Sequence, residues 1–245
     1  MFVPLERINC QNYRSNQCYS ELTDRIVINI IQIMSQTVWI ARHGNRLDFV
    51  NPEWFNTARR RYDPPLAEDG FVQAVELGQR LKQENIGHIF ASPFLRTIQT
   101  ASEIAQILDL PIKLESGLGE WRNAEWMTEV PEIHPQNVLT EKYPAIDWNY
   151  SSYLIPNYPE TKKELNQRTA ITIQKLVAEY SEDILIVGHG ASVYGATLGL
   201  IDDIPEDKVA LCSLTKIIRD GDRFKLEFYA DTSHLSHTET TIRLN

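Results

Sequence analysis

The stretch RHGNR places Arg42, His43 and Arg46 within residues 42–46, directly behind the short apolar run VWIA. Two other segments carry the same side-chain types: SPFLR ends on Arg96, and IVGHG holds His189 between glycines. Guanidinium forks match the oxygens of a phosphate group, and charge-assisted hydrogen bonds are about twice as strong as neutral ones. Imidazole adds what arginine cannot. Neutral near pH 7, it can attack phosphorus as a nucleophile and split one difficult displacement into two. Gathered in one place, Arg42, His43, Arg46, Arg96 and His189 would form an anion pocket with a nucleophile inside it.

Their gathering depends on the elements that carry them. TVWIA (37–41) reads as a strand, followed by a long polar loop to DPPL (63–66), where the prolines exclude regular helix. Ala74, Leu77, Gly78 and Leu81 have the spacing of one buried helix face. IGHIFAS (86–92) predicts a strand, and Ile98, Ala101, Ser102 and Ala105 a second helix ending before Pro111. Thr161 and Glu164 have capping-box spacing ahead of a helix whose Ile173, Leu176, Val177 and Tyr180 share a face. DILIVGHG (183–190) predicts a buried strand running into a glycine-flanked turn, while LTKIIRD and RFKLEFY flank Asp220–Arg223 as a hairpin. Strands alternating with helices predict an α/β fold, a three-layer sandwich with a mostly parallel central sheet. In such sheets ligands sit outside the carboxyl ends of the strands, and each of the three basic segments follows a strand.

The 245-residue chain has a formal charge of −9. That argues against a general nucleic-acid or anionic-membrane binder, since those partners attract a basic face, but it leaves room for a local basic pocket. Cys10, Cys18 and Cys212 form no CxxC pair, so neither a disulfide framework nor a cysteine metal site is expected, and a reducing, cytoplasmic compartment fits. RIVINIIQIM (25–34) is interrupted by Asn29 and Gln32 and falls far short of the roughly 20 apolar residues that span a bilayer. Residues 1–33 are polar and stand apart from the periodic body, and Met34 opens MSQTVWIARHG as a natural start. The expected organisation is a poorly ordered, dispensable extension over 1–33 and one domain over 34–245.

RHGNRLD, DPPL, FASPFLRTIQTA, GLGEW and IVGHG occur in that order, and from about residue 37 to about residue 230 the chain resembles the histidine phosphatase superfamily, also called phosphoglycerate mutase-like. Within it the chain is most similar to the ecdysteroid-phosphate phosphatases and the phosphatase domains of the suppressors of T-cell receptor signalling. RHG alone is a weak signal; the ordered set is specific. The resemblance implies metal-independent and cofactor-free hydrolysis of a phosphomonoester, on a small molecule or a phosphoprotein, through a phosphohistidine on His43. It implies Arg42, Arg46 and Arg96 as the phosphate clamp, His189 as the second pocket histidine and Glu120 as the proton donor. A cofactor-dependent phosphoglycerate mutase would use the same nucleophile, but RHGNRLDF lacks the Ser and Trp-Asn pattern that mutases carry after RHG. A non-enzymatic phospho-ligand binder would keep the arginines without needing both His43 and Glu120.

Several residues admit a plainer role. Arg46 could be an ion-pair partner of Asp48, and Glu120 could orient an arginine. Asn45 stands where relatives commonly have glutamate or glutamine, so only a supporting role is expected. The segment 122–159 resembles the family's variable insertion over the pocket and carries Trp126, Tyr143, Trp148, Tyr150, Tyr153 and Tyr158. These rings would either wall a site for a flat leaving group or pack the insertion onto the body. An apolar surface there would also support a homodimer. His88 is expected to be structural, and His234 and His237, with HxxH spacing but no third ligand, to lie in a solvated tail.

Overall fold

The computed structural model describes residues 35–205 and 209–237, so the expected extension over 1–33 lies outside the described residues. The described residues from Gln36 onward form one compact unit. Its strands are β1 (Ser35–Arg42), β2 (Ile86–Ala91), β3 (Ile112–Leu114), β4 (Asp183–Gly188), β5 (Leu214–Asp220) and β6 (Arg223–Asp231). They form one six-stranded sheet in the order β3-β2-β4-β1-β5-β6. β2 pairs in parallel with both β3 and β4, and β4 with β1, whereas β5 and β6 are antiparallel. The mostly parallel α/β arrangement is therefore as expected, with an antiparallel hairpin at one edge. Asp220 pairs with Arg223 across the hairpin turn, and Gly221 takes the positive φ of 62° that the turn requires.

The two faces of the sheet are buried by different helices. Successive strand residues point to opposite faces, so Trp39 and Ala41 pack with Leu77 and Leu81 of α3 (Glu68–Leu81) and with Ala101 and Ile104 of α4 (Leu95–Leu108). Val38 and Ile40 pack instead with Ile173 and Leu176 of α6 (Lys162–Glu179) and with Val193 and Ala196 of α7 (Gly190–Leu198). The capping box at Thr161 and Glu164 is present and starts α6. α4 ends where Asp109 enters the left-handed region at φ 55°, and Leu110 N closes back onto Ala105 O.

Two expectations are corrected, and the insertion holds a helix the sequence did not show. The loop before DPPL contains two single helical turns, α1 (Leu47–Val50) and α2 (Trp54–Thr57), too short to leave a periodic signal. The insertion contains the helix α5 (Gln136–Lys142), whose Leu139 packs with Ile98 and Ile146 and with the rings of Tyr143 and Trp148. It also shields the β3 edge, since Ile112 N donates to Ala145 O and Asp147 N to Ile112 O, both at 2.8 Å. Tyr150 and Tyr153 are tied to buried Glu115, whose Oε2 accepts from Tyr150 Oη (2.6 Å) and from Tyr153 N (2.9 Å). Finally, His234 does not lie in a solvated tail. Cys212 has a positive φ of 53°, and its carbonyl lies 3.1 Å from His234 Nε2, with Leu235 packed on the core beside it.

Candidate active site

The site starts from one register. Arg42 pairs with Gly188 across the parallel β1/β4 ladder, so the next residues, His43 and His189, leave the sheet side by side. His43 N still donates to Gly188 O at 3.0 Å, and the two imidazoles stand edge to face with ring centroids 5.3 Å apart. At the same sheet edge, Ser92 N bonds to Val187 O (3.0 Å) and Ser92 Oγ lies 2.8 Å from His189 Nε2. Arg96 follows in the first turn of α4, with its side chain buried against the Phe94 ring. Gly44 is needed for this packing: a Cβ there would sit 2.5 Å from Gly70 O at the start of α3.

His43 is fully buried, with Nδ1 2.7 Å from Gly44 O. A carbonyl can only accept, so the Nδ1 carries the proton and Nε2 keeps its lone pair. Among the described residues Nε2 has no hydrogen-bond partner. Burial, with the charges of Arg96 and Arg42 adding to it, holds this imidazole well below its ordinary pKa. Burial likewise brings His189 down to about 4.

Around these rings stand the expected cations. Arg42 is buried, with Nη1 donating to Val209 O at 2.7 Å. Arg96 donates from Nη2 to Glu120 Oε2 at 3.0 Å and from Nη1 to Tyr62 O at 3.4 Å, with Asp63 Oδ1 3.7 Å from the same Nη1. Arg46 makes a two-pronged pair with Asp48 (Nε to Oδ1 at 2.9 Å, Nη2 to Oδ2) and lies over the Phe49 ring. It also lines the same cavity as Arg96 and Glu120. Asn45 supports rather than lines the site: its N donates to Gln73 Oε1 (2.9 Å) and its Nδ2 to Asp69 Oδ2 (2.7 Å).

Glu120 is buried, and its Oε2 lies 3.2 Å from His189 Nδ1. Burial pushes its pKa up, but nearby positive groups outweigh that and hold the carboxyl well below the usual range. Among the lowering influences the interaction with His189 comes first, followed by the charges of Arg96 and Arg46.

Two buried ionic groups escaped the sequence reading. Arg168 of α6 donates from Nη1 to Gly117 O (2.8 Å) and reaches Gly119 O (3.3 Å), while Glu160 holds its Nε (3.0 Å) and Nη2 (2.6 Å). Glu160 also grips the far side of Glu120, its carbonyl accepting from Trp121 Nε1 (2.9 Å) and its Oε1 from Arg122 N (3.2 Å). The loop carrying Glu120 is thus clamped on both flanks. A signal existed: Arg168 shares the buried stripe of Leu165, Thr172 and Leu176, where an arginine needs a partner. The second group is Asp63, buried behind Arg96, with Oδ1 accepting from Leu95 N at 2.7 Å and its pKa pushed up to about 6 by burial.

The cavity holding Arg46, Arg96 and Glu120 has a volume of about 480 Å³, its open mouth included. Phe55, Tyr62, Trp126 and Met127 form an aromatic and apolar wall, joined by Arg61. Of the six insertion aromatics, Trp126 lines this cavity; Tyr143, Trp148, Tyr150 and Tyr153 pack on the body, and Tyr158 Oη donates to Met127 O. Phe55, Arg61 and Tyr62 sit in the polar loop that showed no periodicity.

Residues 38–232 match the model of the histidine phosphatase superfamily, branch 1. The chain belongs to that superfamily. It is 33% identical over 177 residues to the transcription factor tau 55 kDa subunit of Saccharomyces cerevisiae, covering 67% of this chain and 41% of that protein. It is 28% identical over 229 residues to the ecdysteroid-phosphate phosphatase of Drosophila melanogaster, covering 75% of this chain and 30% of that protein. Among solved structures, the ecdysone phosphate phosphatase of Bombix mori in complex with tungstate superposes with a TM-score of 0.66 at 23% identity, over 86% of this chain and 98% of that one. The chain therefore spans well under half the length of the two curated relatives, while the fold matches that solved chain nearly end to end.

Proposed function

We propose that the protein hydrolyses phosphomonoesters through a phosphohistidine on His43, without a metal. The observation that carries the reading is His43 Nε2: a buried, unprotonated nitrogen with no partner among the described residues, on a ring influenced by the charges of Arg42, Arg96 and Arg46. In the proposed first step this lone pair attacks phosphorus, the bond to the ester oxygen breaks, and the guanidiniums and His189 hold the equatorial oxygens where charge is stabilised best. Glu120 protonates the departing oxygen. In the second step its carboxylate takes a proton from the attacking water, the P–N bond breaks, and phosphate leaves with His43 neutral again.

Glu120 is ionised in the unliganded site, so its acid role needs the substrate. A bound phosphate dianion offsets the charge of Arg96 and Arg46 and moves the carboxyl pKa up. The superfamily membership and the phosphatases among its relatives support this chemistry.

A second reading has one observation in its favour. His43, Glu120 and His189 each offer a ligand atom within 4.8 Å of the others, a grouping that could hold a metal ion. The guanidiniums of Arg42, Arg46 and Arg96 oppose a cation there. The deciding experiment is hydrolysis of a phosphomonoester panel with chelator present, beside His43→Ala and beside a mutase assay with and without bisphosphoglycerate. Turnover that survives chelation and vanishes in the variant supports the phosphatase. Loss on chelation sinks the metal-free mechanism, mutase activity alone sinks the hydrolase, and no turnover anywhere leaves phospho-ligand binding.

A further inference from the structure

Of the groups proposed above, Arg46, Arg96 and Glu120 line the cavity. Arg96 and Glu120 are 1% and 4% exposed, whereas Phe55 and Trp126, lining the same space, are each 43% exposed. Aromatic and apolar side chains lining a cavity beside a few charged groups are the usual make-up of a small-molecule site. This wall is braced. Phe55 stands edge-on to Tyr62 with centroids 5.6 Å apart, and Tyr62 Oη accepts from Thr128 N at 3.0 Å.

Arg61 completes the mouth. Its guanidinium lies over the Phe55 ring, 5.4 Å from the centroid, and its side chain is 47% exposed. The ion pair it makes, with Glu129 at 4.0 Å, is long and has a carboxylate 66% exposed; pairs of this kind hold weakly and yield to a better anion. Arg46 differs, being bound at both prongs to Asp48, and Arg96 lies against Glu120. The lining thus runs from a buried cationic end, along aromatic surface, to an exposed guanidinium resting on a ring.

From this arrangement we infer that Arg61 is a specificity-determining residue, and that the preferred substrate carries a second anionic group, such as a carboxylate, on a flat apolar body bearing the phosphomonoester. The inference rests on the phosphatase reading. Arg61 takes no part in the bond-breaking step; it binds the far end of the leaving group.

The test compares kcat/KM for 3-(4-phosphonooxyphenyl)propanoate with that for its neutral amide, whose phenol has nearly the same leaving ability. The shorter pair, 4-carboxyphenyl and 4-carbamoylphenyl phosphate, covers a shorter reach. Reading the acid-to-amide ratio within each variant cancels any general loss of activity. In the wild type the acid of at least one pair is expected to be favoured by about tenfold, the scale of one charge-assisted hydrogen bond. In Arg61→Gln the ratio should fall to about one, and in Glu129→Gln, which removes the competing carboxylate, it should rise. A wild-type ratio near one in both pairs, or a preference that persists in Arg61→Gln, overturns the inference while leaving the phosphatase standing. Failure to hydrolyse any of the four esters overturns the inference, and the wider phosphomonoester panel then decides the phosphatase reading separately.

Discussion

His43 and His189 stand with ring centroids 5.3 Å apart because Arg42 and Gly188, the residues just before them, are partners across the β1/β4 ladder. A slip of one residue in that register would turn one imidazole away from the other. Burial keeps both rings below their ordinary pKa, and two like charges at this spacing would repel.

That pair makes a titration prediction. An unfolded histidine titrates near 6.5, while His189 is brought down to about 4 and His43 is also depressed. Groups with depressed folded pKa values contribute stability above the unfolded pKa that is lost as pH falls through the folded value. In ¹⁵N-NMR spectra both rings should remain neutral at pH 6, and acid should destabilise the protein progressively below pH 6.5. A protonated His43 at pH 6 would remove its role as nucleophile.

Replacing the nucleophile should separate chemistry from folding. His43→Ala is expected to lose at least about a thousandfold in turnover, with its thermal transition within a few degrees of the wild type. Rapid quench into alkaline detergent, in which a phosphohistidine survives, with ³²P-labelled substrate should trap a phosphoenzyme in the wild type and none in the variant. A labelled protein in both would place the nucleophile elsewhere.

Glu120 is ionised when the site is empty, and only its protonated form can assist a leaving group. Activity on alkyl phosphates, whose alkoxides need that proton, should therefore decline with rising pH more steeply than activity on aryl phosphates. Glu120→Gln should lower alkyl turnover more than aryl turnover, by about tenfold or more in the ratio. Equal losses on both substrate types would remove Glu120 from the acid role.

Arg168 acts through the loop it clamps. Arg168→Lys keeps the charge but has no planar fork to reach Gly117 O, Gly119 O and Glu160 together. Disrupting a buried pair of this kind costs up to about 3–5 kcal/mol, so a lower melting temperature is expected. The informative readout is the alkyl-to-aryl activity ratio, which should shift towards that of Glu120→Gln. A destabilised enzyme with an unchanged ratio would make the clamp purely structural.

Asp63 has the opposite pH signature from the histidines. Its folded pKa is raised from 3.8 to about 6, so the stability it contributes is present below 3.8 and lost as pH rises through 6. The difference corresponds to roughly 3 kcal/mol near pH 7.5. Asp63→Asn lacks this titration. The melting temperature of the variant relative to wild type should therefore rise between pH 5 and pH 7.5, and a constant difference would show that Arg96 already holds Asp63 ionised.

Much of this architecture was legible in the chain. Ala74, Leu77 and Leu81 announced the buried face of α3, Thr161 and Glu164 the start of α6, and the strand ahead of each basic segment placed Arg42, His43, Arg96 and His189 at one sheet edge. These signals are local: periodicity and capping are set by residues three or four apart, and strand ends follow from them. The helix inside the insertion, the two single turns before DPPL and the docking of His234 were not legible, because each depends on the surface it meets.

The sequence by itself determined which side chains could bind and attack a phosphate, and the α/β frame that collects them. Only the tertiary structure decided their states. Glu120 is ionised because His189, Arg96 and Arg46 reach it, its loop is held by Arg168, distant by 48 positions, and the cavity wall joins Phe55 and Tyr62 to Trp126 of the insertion. Charge state and cavity shape depend on distances and burial across the whole fold, and those quantities leave no trace in the spacing of neighbouring residues.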